Sequence, residues 1–451
     1  MYQKEGSKMT VQLTVFQELI EEAQTIYLED IREGNPQAFT RKRKTTPLTL
    51  MLQMFAQKGN SQFCELLNFY DNRRKPLDIS TVAFYKARMN YNPKAIRLMM
   101  TDYMSMIYEE NDDQLVKLNG YIVTAIDGSD IILPSTEENA KKYGVAPNPK
   151  AAANPVMASV SLLYDCINKL VIDTFVGPYK SSERDSASQH LHVLKETLRQ
   201  PTITVFDRGY FSLRLVHQLI QDGQKFVMRM DHQKLKRYSS QLSVGQDKTF
   251  EVTFDRSQTD DYRNDRIFRA TLMSTVYPLR FIKIPLHKQD SEKIEDEVLL
   301  TNLTPAEFSS DDLNEVYRLR WGIETAYNVL KNRMKLEEFS GIRERLILQD
   351  IYCSVWLYNL TMLHLIEVSE TRTIPQERYK YEMKQNLSIA IGIVKTYFIR
   401  SFMSETHEQR RESFEQMSAL LTKHLVPVRP HRAARRKTPV NKSRRSYRYT
   451  Y

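Results

Sequence analysis

The chain has little cysteine. Cys64, Cys166 and Cys353 stand far apart in apolar settings, which excludes a disulfide framework or a zinc site and suits a reducing cytosol. It also lacks a long uncharged apolar run. The most apolar window, Ile351 to Val368, carries Asn359 and His364, so a buried helix is expected there rather than a membrane span. No apolar segment of a secretion signal follows the first basic residues, and no internal repeat is present. His190 and His192 have no further ligand types at metal-site spacing and read as ordinary core or surface histidines. Acid is missing from the end of the chain. From Val428 to Tyr451 there are nine Lys or Arg and no Asp or Glu, so most of the formal +10 resides in this tail. Arg435, Arg436, Lys437, Arg444 and Arg445 belong to it, interleaved with Tyr447, Tyr449 and Tyr451. Such a block suits a polyanion, and tyrosines beside it suit stacking on bases.

What is present is 451 residues with 41% hydrophobic composition, enough for two to four globular domains. Residues 10 to 115 carry helix-period apolar positions, broken at Gly59-Asn60 and at Asn90-Tyr91-Asn92-Pro93, with a cap expected at Asp78 or Ser80. A helix-turn-helix-like DNA-binding module and a plain helical bundle both fit this pattern. From Tyr121 the period changes. YIVTAID, PVMASVSLLYD and KLVIDTFVG read as strands, the last two joined by a turn near Asn168. A helix, the strand PTITVFD, a helix between Ser212 and Gly223, and the strand QKFVMRM follow. Between 231 and 310, TFEVTF, RIFRATLMS, LRFIKIPL and EVLLTNL read as β-rich pieces of an inserted sheet. A long helix capped by Ser310 or Asp311 then carries YRLRWGIETAYNVLKNRMK.

In that helix Tyr317, Arg320, Glu324 and Lys331 fall within an arc of roughly 60° at about 100° per residue. Leu319, Ile323, Ala326 and Leu330 form an apolar stripe beside them, so the polar row sits at the rim of a core. Asp127 and Asp207 each end an expected strand and are followed by Gly128 or by Arg208-Gly209. Ligand sites of α/β sheets lie beyond such strand ends. Taken alone, Glu324 is explained by an ordinary pair with Arg320 four residues before it. Taken together, Asp127, Asp207 and Glu324 offer oxygen ligands only, the set for Mg²⁺ or Mn²⁺. Two such ions activate an attacking water or hydroxyl and stabilise the leaving oxygen of a phosphodiester. Arg320 and Lys331 would then hold phosphates, and Tyr317 would donate to another phosphate oxygen.

These residues resemble the DDE transposases of the insertion-sequence-four type. The spacing of Tyr317, Arg320, Glu324 and Lys331 matches that family's signature. AIDGSDIILP and VFDRGYFS are similar to its two aspartate segments, and RKRKTTPLTLMLQMFAQKG with DISTVAFYKARMNYNPKAI to its N-terminal region. The resemblance implies a mixed α/β fold: a ribonuclease H-like catalytic core, a β-rich insertion between Asp207 and Glu324, and a helical N-terminal domain. The expected division is 1–115 helical and DNA-binding, 116–230 first part of the core, 231–310 insertion, 311–400 second part of the core, and 401–451 helical end with basic tail. The resemblance further implies metal-dependent cleavage at terminal inverted repeats, transfer of the 3′ hydroxyl to target double-stranded DNA, and a homodimer in the synaptic complex. A cytoplasmic, nucleoid-associated enzyme with no membrane attachment is expected.

Members with this signature often pass through a DNA hairpin, and some hold a flipped base on a tryptophan of the insertion. Here the tryptophans are Trp321 and Trp356, neither in the insertion. Trp321 reads as helix packing or DNA contact, Asp130 as a solvated loop residue or a supporting acid, and Gly322 as a site of close approach by DNA or another helix. A structure-specific nuclease and an inactive DNA-binding relative are the alternatives.

Overall fold

After a single helical turn at Leu28–Ile31 come α1 (Pro47–Ala56), α2 (Gln62–Asn72), α3 (Thr81–Met89) and α4 (Pro93–Glu110). Three begin on side-chain caps, with Thr46, Ser80 and Asn92 accepting from the amides of Thr49, Ala83 and Lys94. Pro47 and Pro93 occupy first-turn positions, where a missing N–H costs nothing. Gly59, with φ +98°, makes the break between α1 and α2. The computed structural model describes residues 19, 25–41, 44–57, 59–72, 76–147, 154–231, 233–286, 295–371, 379–402, 404 and 406–429.

The apolar run after Tyr121 becomes β1 (Ile122–Ile132), followed by the short helix α5 (Glu137–Tyr143), β2 (Met157–Asp165) and β3 (Leu170–Pro178). These three strands are antiparallel. Then come α6 (Glu183–Thr197), β4 (Thr202–Phe206), α7 (Leu213–Gln221) and β5 (Lys225–Met230), with β4 parallel to β1 and β5 parallel to β4. Parallel neighbours require crossover helices, which α6 and α7 supply. Strand order 3-2-1-4-5 with this mixture of directions is the ribonuclease H-like arrangement expected above. The first five residues of β1 and four of the five in β4 are buried, as strands covered on both faces require.

The chain continues through β6 (Asp247–Val252), α8 (Arg266–Ser274), β7 (Tyr277–Leu286) and β8 (Glu295–Thr301). Two expectations are corrected here. RIFRATLMS is a helix: the Asp265 carboxylate caps the Phe268 amide, and the inward residues Phe268 and Leu272 are four apart. The strands do not form a sheet of their own. β8 pairs antiparallel with β5, from Val227 opposite Thr301 to Met230 opposite Val298, and β7 and β6 follow. The result is one eight-stranded sheet, because the free edge of β5 offers backbone donors and acceptors that β8 satisfies.

After the sheet, α9 (Ser310–Leu319) and α10 (Trp321–Asn332) take the place of the single long helix expected. Ser309, one residue earlier than read, is the cap and forms a capping box with Asp312. The helix is interrupted at Arg320, where the Arg320 and Ile323 amides reach back only three residues. Helix α11 (Glu344–Thr371) follows. By length and composition its Glu344–Ser369 stretch could cross a membrane, but most of it is buried inside the protein. Asn359 explains its polar interior: its carboxamide accepts from the Val171 amide and donates to the Val171 carbonyl on β3, at 2.8 and 2.7 Å. Buried Arg88 of α3 reaches Gln349 at 2.8 Å and Asp350 at 2.8 Å, and also holds Ser340. This network joins the N-terminal helices to the region behind the sheet. β9 (Met383–Gln385), α12 (Leu387–Phe402), α13 (His407–Lys423) and β10 (Leu425–Pro427) complete the described chain.

Candidate active site

Asp127 lies within β1, not at its end. Gly128 to Ile132 remain paired with Ser161 to Met157, so cross-strand pairing carries the strand through a sequence that reads as a loop. The strand is held from behind: the Tyr327 hydroxyl of α10 lies 2.8 Å from the carbonyls of both Asp127 and Val160. Asp207 follows β4 directly and opens the turn Arg208–Tyr210. Because β1 and β4 are adjacent and parallel, the two aspartates emerge from neighbouring strands at the same side of the sheet.

The broken helix brings in the rest. Tyr317, near the end of α9, donates its phenol hydrogen to Asp207 Oδ1 at 3.4 Å. Arg320, at the break, is 7% exposed; its guanidinium binds Glu324 Oε1 at 2.9 Å and approaches Asp127 Oδ2 at 3.8 Å. Glu324, in the first turn of α10, remains open to solvent on one side. Tyr317 and Arg320 therefore tie all three predicted carboxylates together. Lys331 sits farther along, where its ammonium binds Ser129 Oγ at 2.8 Å and the Asp130 carbonyl. Asp130 is exposed on β1, not in a loop. Trp321 is 55% exposed, with the Arg320 guanidinium over its ring at 5.4 Å, so it is not a packing residue. Gly322 meets protein: a Cβ there would lie 3.3 Å from the Tyr164 ring and 3.5 Å from the Cys166 carbonyl. The tail residues Arg435, Arg436, Lys437, Arg444 and Arg445 lie outside the described residues.

Burial pushes the Asp127 carboxyl up to about 6; Arg320 and the Gly128 amide pull it down, while Glu183 and Glu324 push it further up. Burial also pushes the Tyr317 phenol up to about 12, with Asp207 acting in the same direction. Donor type and charge fit a hard divalent cation. Two buried donors at the site, Arg320 Nε and the Tyr210 hydroxyl, have no hydrogen-bond partner. Among the described residues, however, no three acidic, histidine or cysteine side chains converge closely enough to hold an ion as they stand. The Arg320 guanidinium lies between Asp127 and Glu324 instead.

Sequence reasoning passed over Glu183 and Tyr210. Glu183 opens α6 behind the Ser182 cap, where an acid is ordinarily explained by the helix terminus. Its carboxylate nevertheless faces β1 and the turn after Asp207: a Cβ at Gly128 or at Gly209 would lie 3.6 Å from one of its oxygens. Burial, Asp207 and Asp130 all push its pKa up. His190, read as an ordinary histidine, pins α6 to the sheet through Asp173 Oδ2 at 2.8 Å and Ser161 Oγ at 3.0 Å. Asp173 is in turn held by Arg97 from α4 through two bonds of 2.9 and 2.8 Å.

Two aspartates on paired parallel strands and a glutamate on a following helix are the frame of a DDE-type catalytic domain. Residues 118–360, more than half of the chain, match the model of the transposase DDE domain, and the chain belongs to that family. It is similar to the transposase InsG for insertion sequence element IS4 of Escherichia coli strain K12, with 22% identity over 298 residues. That match covers 65% of this chain and 62% of the relative, so the chain spans less than two thirds of the curated protein it matches. Among solved structures, a piggyBac transposase synaptic complex with hairpin DNA aligns with a TM-score of 0.44 and 13% identity, over 92% of this chain and 88% of that one.

Proposed function

We propose that the chain is a DNA transposase that moves an insertion sequence by cutting at terminal inverted repeats and joining the freed 3′ hydroxyl to target double-stranded DNA. The observation that carries this reading is the gathering of Asp127, Asp207 and Glu324, from three separate elements, around Arg320 and Tyr317. Asp127, Asp207 and Glu324 would hold Mg²⁺, or Mn²⁺ in its place. The ion supplies activation of the attacking oxygen and charge stabilisation at the leaving one. Arg320 now pairs with two of these carboxylates; once they have a cation, its fork is available to a phosphate. Tyr317 and Lys331 stand on either side of it along the same two helices and would hold neighbouring phosphates.

The remaining parts are assigned on the same reading. Residues 1–115 serve as the DNA-binding helical domain, and a groove of about 1110 Å³ there is lined by Arg41, Lys44 and Lys86. Residues 116–230 and 311–400 form the catalytic core interrupted by 231–310. Residues 401–451, with Arg435, Arg436, Lys437, Arg444 and Arg445, add sequence-independent affinity for DNA. Two copies pair the ends in a synaptic dimer at the nucleoid in the cytoplasm.

The test is cleavage of a labelled duplex carrying the element's own end, with Mg²⁺ or Mn²⁺, comparing wild type with Glu324→Ala. Metal-dependent cuts that vanish in the variant, followed by joined products, are expected. Cuts without joining would mean a structure-specific nuclease. Tight binding with no cuts in either metal would mean an inactive DNA-binding relative.

A further inference from the structure

The three signature acids are already occupied by the chain itself. The Arg320 guanidinium binds Glu324 Oε1 at 2.9 Å and approaches Asp127 Oδ2 at 3.8 Å. The third acid, Asp207, accepts from the Tyr317 hydroxyl at 3.4 Å. Among the described residues no three acids converge closely enough to hold an ion. The free chain thus keeps its acids in an arrangement that does not fit a divalent cation, with a guanidinium between two of them. The Arg320 side chain is 8% exposed, so water and salt screen these attractions little.

This pose does not use the guanidinium fully. Its Nε donor is buried and has no partner. A guanidinium fork is best matched by two oxygens of one group, as a phosphate supplies them, whereas here its two oxygens come from different acids. The side chain also has a way out. The Glu324 side chain is 42% exposed, and Trp321, 55% exposed, already has the guanidinium over its ring at 5.4 Å. An indole face attracts a cation, so a swing toward solvent keeps one contact. The backbone beside it is fixed. Gly322 packs so closely that a Cβ there would lie 3.3 Å from the Tyr164 ring and 3.5 Å from the Cys166 carbonyl. The part free to change is therefore the Arg320 side chain, at the break between α9 and α10.

We propose that Arg320 is a latch on this site: in the free chain its guanidinium occupies Asp127 and Glu324 and keeps divalent cations weakly bound, and a phosphate of bound DNA draws it away. This rests on the transposase reading above and adds a regulation to it, because DNA and cation then favour each other's binding. By reciprocity, DNA tightens the cation by the same factor as the cation tightens DNA. A chain that has not gripped DNA is thereby held in an idle state.

The experiment measures Mn²⁺ binding to the full chain by loss of the free-ion paramagnetic resonance signal. Wild type, Arg320→Gln and Glu324→Gln are compared, without DNA and with a saturating duplex whose own Mn²⁺ uptake is subtracted. Without DNA, Arg320→Gln should bind Mn²⁺ tenfold or more tighter than wild type, since a positive charge a few ångströms from the ion has gone. In wild type the duplex should tighten Mn²⁺ binding tenfold or more, and in Arg320→Gln this gain should shrink fivefold or more, because no latch is left to release. An arginine that merely stood nearby would leave the gain the same in both proteins. One that served as a fixed support for the acids would make Arg320→Gln bind no tighter than wild type. Either result, with binding lost in Glu324→Gln, would overturn this inference and spare the transposase reading. No Mn²⁺ binding by wild type, with or without DNA, would overturn both. A second measurement needs no variant: wild-type affinity for the duplex should be higher in Mn²⁺ than in EDTA, at equal ionic strength, by the factor found for the ion. Equal affinities would also overturn it.

Discussion

Replacing Asp127 by Asn should stabilise the protein at neutral pH while abolishing its chemistry. In the folded state this carboxyl is pushed up to about 6, chiefly by burial, from 3.8. A carboxyl with a raised folded pKa favours folding while protonated, and that contribution is lost as pH rises from about 4 through about 6. Two units correspond to about 3 kcal/mol at 1.36 kcal/mol per unit. Its side chain keeps 22% exposure and Arg320 stays close, so about 1–2 kcal/mol is the usable figure. Asn keeps the shape and the acceptor for the Gly128 amide, 3.0 Å away in the native chain, and removes the charge. Arg320 retains Glu324. Urea unfolding in EDTA at pH 7.5 should therefore place Asp127→Asn about 1–2 kcal/mol above wild type, with an unchanged m-value. At pH 4.5 the gain should fall to roughly a third, because most of the native carboxyl is then already protonated. Adding Mn²⁺ at pH 7.5 should reverse the order, since only wild type gains from binding. A variant no more stable than wild type at pH 7.5, or a gain equal at both pH values, would refute the reasoning.

Two further outcomes follow from other parts of the fold. Arg88→Met leaves Asp350 and Gln349 without their buried partner, and should cost about 3–5 kcal/mol in urea unfolding; a cost under about 1 kcal/mol would mean that this network does not hold the fold together. Deleting residues 430–451 should weaken DNA binding and flatten the log K against log salt slope by roughly 0.9 for each phosphate that the tail neutralises. An unchanged slope would make the tail a solvated extension.

Much of this was legible from pattern. The strands from Ile122 to Met230 announce themselves by β-rich runs separated by turn residues, and their order fixes the core topology. Asp127 and Asp207 were recognisable because acids are poor strand residues and each stands directly after a buried apolar run, although Asp127 proves to lie within β1. What escaped depended on partners far away in sequence. Residues Gly128 to Ile132 are strand only because β2 pairs with them. β8 extends the core sheet only because β5 has a free edge. RIFRATLMS satisfies strand propensity, and a cap at Asp265 with inward residues four apart decides for helix. Glu183 was invisible for a different reason: at a helix start an acid already has a sufficient explanation, and only the approach of its carboxylate to Gly128 and Gly209 reveals another. The break at Arg320 had no sequence signal, as arginine is a good helix former.

The route of the chain through the sheet also sets when the site can exist. Strands β1 to β5, with both aspartates, are complete by Met230, while Glu324 follows Asp207 by 117 residues, after β8, β7 and β6 have extended the sheet from β5. A chain still emerging from the ribosome folds from its N-terminal end. It therefore presents the early helices, Asp127 and Asp207 well before Glu324 can join them. A message broken within the β6–β8 region would yield a fragment with the early helices, Asp127 and Asp207 but without Glu324. On the function proposed above, such a fragment would occupy the same ends without cutting them, and interrupted translation would damp the activity of the full chain.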